Sequence, residues 1–333
     1  MARLNKTAVS PSVLTAAALP TAESASPVVP PTTPPAAAAG LNNLDLALIL
    51  TMTIWSGNVV ISKAATDSLP PMAYNALRFA IAPIAMFVLL RWRRTNLHLP
   101  RALWQPVVLS ALFNYTFYQL AFINGLHLTT AGNNALIMAA GPAWVALINA
   151  LRSQERITRG AMVGALVALF GVSVVVIGRE SGALSFGGST LAGDMLSLVA
   201  SILWAFGVLA SRRALTQDVR VPHLTVTFWV MLIGSLTQVG FGALAVSQLS
   251  LSTFTPGVIA ALLYSGIISV ASGTLIFNYA IGKRGATRTA VFSYLQPLIT
   301  AALAILFLGE RLTPWLLVGG VLILIGVSLV RRA

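Results

Sequence analysis

The sequence predicts an all-α integral membrane protein, with ten transmembrane helices arranged as two inverted five-helix repeats and both termini in the cytoplasm. Three observations carry that expectation. Charged residues make up 9% of the chain and apolar residues 57%, with a mean hydropathy of +0.84, whereas a soluble domain carries about 25% charged residues. Ten apolar segments follow one another from Leu44 onward. The chain also repeats itself: Gln154-Glu155-Arg156-Ile157-Thr158 recurs 155 residues later as Gly309-Glu310-Arg311-Leu312-Thr313. In phase with it, Ala131 recurs as Ala286, Pro142 as Pro297, Gly164 as Gly319 and Gly171 as Gly326.

Residues 1–43 are unlike the rest. Pro20, Pro27, Pro30, Pro31, Pro34 and Pro35 stand among Ala, Ser and Thr, the composition of a disordered cytoplasmic tail. Arg3 and Lys6 ahead of an apolar stretch echo a signal peptide, but that stretch is short and runs into the Pro-rich sequence. The apolar segments then span 44–66, 70–90, 102–124, 129–151, 157–178, 190–211, 221–246, 256–280, 286–308 and 313–330. Most approach the ~20 residues that cross ~30 Å of hydrocarbon as a helix, and backbone in lipid must satisfy its own hydrogen bonds. Pro83, Pro106, Pro142 and Pro297 lie inside segments and should bend or break them.

The formal charge of +13 is read as retention of cytoplasmic loops, with no nucleic-acid partner. Of the 21 Lys and Arg, 17 fall on the side of the N-terminus, while Lys63, Arg179 and Arg311 fall on the other and Arg78 lies inside a segment. Five helices per copy is an odd number, so residues 44–178 and 190–330 should enter the membrane with opposite polarity. Asp45 and Trp55 match Asp194 and Trp204 at an offset of 149, and Pro71 matches Pro222 at 151. The drift to 155 suggests a few extra residues in loops of the second copy. No cysteine is present, so disulfides and thiolate metal sites are excluded.

The inverted repeat, the Trp55-Ser56-Gly57-Asn58 stretch, Arg78 in the second helix and the paired Glu-Arg connectors resemble the EamA-type branch of the drug/metabolite transporter superfamily, over residues 44–330. Such a resemblance implies a multi-pass carrier in the cell (inner) membrane that exports small metabolites by alternating access, with similarity to exporters of neutral and aromatic amino acids. An exporter of nucleoside-like or cationic drug-like compounds is the alternative. A phosphate-binding GxxxxGK[ST] run, a metal-ligand cluster and paired intramembrane carboxylates are all missing from the sequence, so neither an enzyme nor a cofactor or metal site is expected.

Arg78 is the one charged residue expected near mid-membrane, where charge is costly and therefore functional by default. It could pair with a substrate carboxylate or bond Asn and Tyr side chains within the bundle. Asp45 and Asp194 read as helix caps. In the ninth segment Thr289, Ser293, Gln296 and Thr300 share a helical spacing, and Asn134 occupies the corresponding part of the fourth. Trp55, Tyr118, Phe122, Trp204, Tyr264, Phe277 and Tyr294 lie within segments, offering an aromatic wall, with Asn58 and Asn278 as polar contacts. The expected substrate-binding set is therefore Asn58, Arg78, Tyr118, Asn134, Trp204, Tyr264, Asn278, Ser293 and Gln296. Helices 5 and 10 carry glycines seven apart and should buttress the bundle or form a homodimer contact. The two connectors should lie on opposite faces, each fixing the turn of its own repeat.

Overall fold

The computed structural model describes residues 42–152, 189–218, 220–310 and 313–332, with scattered positions between 160 and 174. Expectations for the tail, for most of the fifth segment and for Glu155, Arg179 and Arg311 lie outside these residues. The described chain is helical, without strands. Its helices are α1 (Asn43–Thr66), α2 (Pro71–Trp92), α3 (Arg101–Ala111), α4 (Tyr118–Leu128), α5 (Ala131–Met138), α6 (Gly141–Arg152) and α7 (Ser189–Thr216). They continue as α8 (His223–Ser247), α9 (Pro256–Leu263), α10 (Thr274–Arg284), α11 (Ala286–Ala290), α12 (Leu295–Leu308) and α13 (Pro314–Arg332). Among the described residues, eight spans are long and apolar enough to cross a membrane, and a further apolar stretch, Leu317–Gly326, is shorter.

Local signals set the ends. Asn42 and Asp45 form a reciprocal capping box at the start of α1. Pro71 and Pro256 occupy first helical positions, where the missing N–H costs nothing. Gly285 and Gly309 close α10 and α12 at φ +85° and +65°, backbone that glycine adopts without a Cβ penalty. In the turn after α7, a hydrogen bond from the Arg220 guanidinium, 3.0 Å away, holds the Asp218 carboxyl below its ordinary pKa.

Two pairs of segments depart from regular α-helix at matching places. The third and eighth apolar segments each contain a π-helical stretch, Leu112–Phe117 and Tyr264–Gly273. The fourth and ninth are broken: α5 gives way to α6 at Ala139-Ala140, and α11 gives way to α12 through a 3-10 turn, Val291–Tyr294. Pro142 and Pro297 sit just beyond these breaks, as their missing N–H requires.

The drift in the repeat offset has a different origin from the one expected. The loops 93–100 and 248–255 are equal in length, whereas Pro222 to Ser247 is four residues longer than Pro71 to Trp92. One added turn of about 3.6 residues returns the chain to nearly the same helical face, so α8 could lengthen without misdirecting the helices after it. The other two residues lie between Ser211 and Pro222, where residues 212–221 number ten against the eight of 63–70.

The halves interlock. The most extensive packing joins α2 to α8, α4 to α7 and α1 to α12. Close approach is built in with glycine: a Cβ on Gly234 of α8 would lie 2.1 Å from the Tyr115 Cβ, which is fixed to its backbone and cannot yield. Gly234→Ala should therefore lower the thermal midpoint by an amount equivalent to about 1–3 kcal/mol. Gly240→Ala, six residues along with nothing within 4 Å, should be neutral or slightly stabilising. Equal effects at both sites would show that the α8 contact is looser than this. The fifth segment meets the tenth at glycine too, since Gly171 lies against the Gly319 carbonyl and Ile323, in keeping with a buttressing role.

Candidate functional site

The departures from regular helix surround one cavity of about 120 Å³. A pocket of ~150 Å³ takes a benzene ring, so an aromatic amino acid would require this cavity to widen by opening toward one face. Of the residues expected to bind substrate, Asn58, Arg78, Tyr118, Asn134, Trp204, Asn278, Ser293 and Gln296 line it. Tyr264 does not. It opens the second π stretch and donates its hydroxyl to the Ile54 carbonyl at 3.0 Å, so its tip is tied to α1. Ser293, Gln296 and Thr300 of the expected polar stripe reach the cavity, whereas Thr289 bonds the Gly285 carbonyl at 2.8 Å. The 3-10 turn between them interrupts the helical phase on which the stripe was drawn.

Arg78 is 1% exposed. Its Nε donates to Asn75 Oδ1 at 2.8 Å, Nη1 to Ser265 Oγ at 3.1 Å and Nη2 to Gln119 Oε1 at 2.7 Å. The guanidinium also lies 5.0 Å from the Phe79 ring centre and 5.3 Å from that of Tyr74. Among the described residues no carboxylate comes within ion-pair distance of it. A guanidinium carries five N–H groups, so one on each terminal nitrogen remains beyond these three bonds.

The π stretches make this arrangement possible. Each presents side chains that a regular helix would turn elsewhere: Asn114 and Tyr115 from the first, Ser269 and Val270 from the second. Carbonyls loosened by the first are taken up by Gln238 of α8, whose Nε2 donates to the Tyr115 carbonyl and, at 3.2 Å, to that of Thr116. Asn75 then bonds Gln238 Oε1 at 3.4 Å and the Gln119 carbonyl at 3.1 Å, completing a buried amide network around Arg78. Asn114, Gln119, Ser269 and Thr274 all line the cavity and were not expected to. Gln119, a polar residue between Tyr118 and Leu120, was the available signal.

One wall is aromatic. Trp55 and Phe277 stand 5.0 Å apart by ring centroids, Phe277 and Trp204 6.2 Å, and Tyr118 and Phe122 5.6 Å. Trp204 is pressed against Gly141 at the α5–α6 break, where a Cβ would lie 2.8 Å from the indole. Polar groups without partners share the wall: Asn58 Oδ1, Asn134 Oδ1, Ser293 Oγ and Thr300 Oγ1 are buried and make no hydrogen bond. The Asn134 amide orientation is set by Ser197, whose hydroxyl donates to the Gly193 carbonyl at 2.8 Å and so must accept from Asn134 Nδ2 at 2.9 Å.

Contacts between the halves lie to either side of the cavity. At the end holding the α4–α5 turn, the Thr129 hydroxyl donates to Asp194 Oδ1 at 2.6 Å, with both residues buried. Asp194 is therefore no surface cap; it lies inside α7 against the other half. Glu310 likewise does not fix its own turn. Its carboxylate accepts the Ala131 and Gly132 N–H groups at 2.7 and 3.0 Å, capping α5 of the first copy. Lys63 donates to the Leu126 and His127 carbonyls, 3.1 and 2.9 Å away, at the end of α4. At the opposite end Arg284 pairs with Asp45 and also bonds Asn42. The offsets place Asp45 opposite Asp194 and Arg284 opposite Thr129 in the repeat, so these two latches occupy equivalent positions.

The sequence matches the EamA-like transporter family twice, over residues 43–177 and 191–332. It is 30% identical over 287 residues to an "Uncharacterized transporter" of Archaeoglobus fulgidus, covering 85% of this chain and 96% of that protein. It is 28% identical to a "Probable amino-acid metabolite efflux pump" of Salmonella typhimurium, covering 84% and 91% of the two chains. With a "Probable terminal-alkyne amino-acid exporter" of Streptantibioticus cattleyicolor the identity is 25%, covering 86% and 92%. A crystal structure superposes with a TM-score of 0.63 at 20% identity, covering 88% of this chain and 99% of the other, which shows the shared fold.

Proposed function

The chain belongs to the EamA-like transporter family, and we propose that this multi-pass membrane protein is a secondary carrier exporting small amphipathic metabolites, foremost neutral and aromatic amino acids. The observation that carries this reading is the cavity, which combines the spare donors of Arg78 with an aromatic wall and several buried polar groups lacking partners. A carboxylate would take the two remaining guanidinium N–H groups as paired charge-assisted bonds, and a ring or aliphatic side chain would lie along Trp55, Phe277 and Trp204. The names of two relatives point the same way. An uncompensated guanidinium in the wall repels cations, which weighs against drug-like cations as the main substrate.

In this reading ten helices form two inverted five-helix repeats, residues 44–178 and 190–330, with both termini cytoplasmic. The cavity is reached from alternate faces as one latch opens and the other holds. No bond in the solute is made or broken, so the protein acts as a carrier and not as an enzyme.

Counterflow of labelled amino acids in proteoliposomes tests the proposal. Aromatic amino acids should exchange saturably, and Gln296→Ala should raise the KM about five- to tenfold, the loss of one hydrogen bond of about 1–1.5 kcal/mol. If the native protein moves no amino acid, the substrate assignment fails. An unchanged KM in Gln296→Ala would remove that residue from the site.

A further inference from the structure

A second, wider space of about 1430 Å³ opens as a groove at the Arg284 end, where the ends of α1, α2, α8 and α10 converge. Its polar rim holds Arg93, His223, Lys283 and Arg284, and among the described residues no acidic side chain lines it. Arg284 is engaged by Asp45 and Asn42. Arg93 and Lys283 are exposed and, among the described residues, form no ion pair. Trp92 and Tyr279 stand beside these two cations, 5.2 and 5.8 Å from ring centre to charge. Below the rim the lining turns apolar, with Leu44, Ala47, Leu89, Leu275 and Ile276. Leu275 is nine residues from Arg284 on one helix, about 13 Å deeper at 1.5 Å per residue.

A free anion would match the rim and find no partner for the apolar depth. A zwitterionic lipid would match the depth and leave the rim uncompensated. We propose that the groove binds an anionic phospholipid, its phosphate held by Arg93 and Lys283 and one acyl chain laid along Leu89, Leu275 and Ile276. Basic recesses between helix ends at the membrane surface are suited to such headgroups. This site is separate from the cavity and stands independently of the transported solute.

The test uses the full chain in detergent micelles, titrated with phosphatidylglycerol, with phosphatidylcholine of the same acyl chains, and with glycerol 1-phosphate, read by native mass spectrometry. Wild type should bind phosphatidylglycerol at least tenfold more tightly than phosphatidylcholine. The double variant Arg93→Gln/Lys283→Gln should lose about 25-fold, at roughly fivefold per charge near an anionic headgroup. A control, Arg212→Gln/Arg213→Gln, removes two exposed charges from outside the groove lining and should change binding less than threefold. Thermal midpoints of both variants verify that they fold. Equal affinity for the two lipids would overturn the proposal, as would an equal loss in the control or displacement of the lipid by glycerol 1-phosphate at matching concentration.

Discussion

Arg78→Met should reduce amino-acid transport at least a hundredfold while leaving the fold standing. The two halves of that statement come from different magnitudes. Arg78 makes three side-chain bonds within the bundle, and hydrogen bonds between membrane helices are worth about 0.6 kcal/mol each on average. Holding a charge at mid-membrane costs about 2.5–3.5 kcal/mol on insertion scales. Losing some 2 kcal/mol of bonds therefore nearly offsets the cost of burying the charge, and Met fills much of the same volume. Transport has no such compensation. Two charge-assisted bonds to a carboxylate, at about 1.5 kcal/mol each at the low end, amount to over a hundredfold in affinity. The measurements are initial counterflow rates at low substrate and the thermal midpoint in the same detergent. A collapse of the midpoint by more than about 10 °C would make Arg78 chiefly a tie between helices. Retained transport would take it out of the site altogether.

The second large effect concerns the latches. Arg284→Gln should open the face where Arg284 meets Asp45, and Glu310→Gln combined with Thr129→Val should open the other. Because the chain has no cysteine, a single reporter at Ser293, in the cavity wall, can be labelled without background by an impermeant thiol reagent added from one side. Arg284→Gln should raise labelling from its own face about 5- to 30-fold. The side chains of this pair are 23% and 16% exposed, so solvent screens it less than a fully solvated bridge. The Glu310/Thr129 variant should move labelling the opposite way. The charge-swapped pair Asp45→Arg/Arg284→Asp should restore much of the native balance. If both sets of variants raise labelling from the same side, they loosen the fold, and the equivalence of the two latches has no bearing on access.

Much of the fold was legible because a bilayer leaves a chain few choices. A segment of about twenty apolar residues must be helical, and a phase that holds at 155 residues from Ala131 to Gly171 marks a duplicated unit. The cavity was legible for a related reason: polar residues inside apolar segments are scarce, so Asn58, Asn134 and Gln296 stood out. Asn114 and Ser269 were hidden because π-helical stretches redirect side chains away from the 3.6-residue period used to sort them. Asp194 was misplaced because distance from a helix end says nothing about which neighbour covers that end. The target of Glu310 lies 179 residues away and belongs to the other half, a relation that spacing alone does not contain.

The extra turn of α8 has a consequence for the whole machine. At 1.5 Å per residue its 25 residues measure about 37 Å, against about 33 Å for the 22 of its closest packing partner α2. A device made of two identical halves would have two orientations of equal energy, and nothing but its cargo would decide between them. Here α8 is longer than α2, so exchanging the roles that the two halves take in the proposed cycle would not regenerate the same object. Tilting α8 carries its surplus length into or out of a hydrocarbon layer of about 30 Å. In the proposed alternating-access cycle, the thickness of the surrounding membrane would thereby become a physical variable on which the two orientations depend unequally.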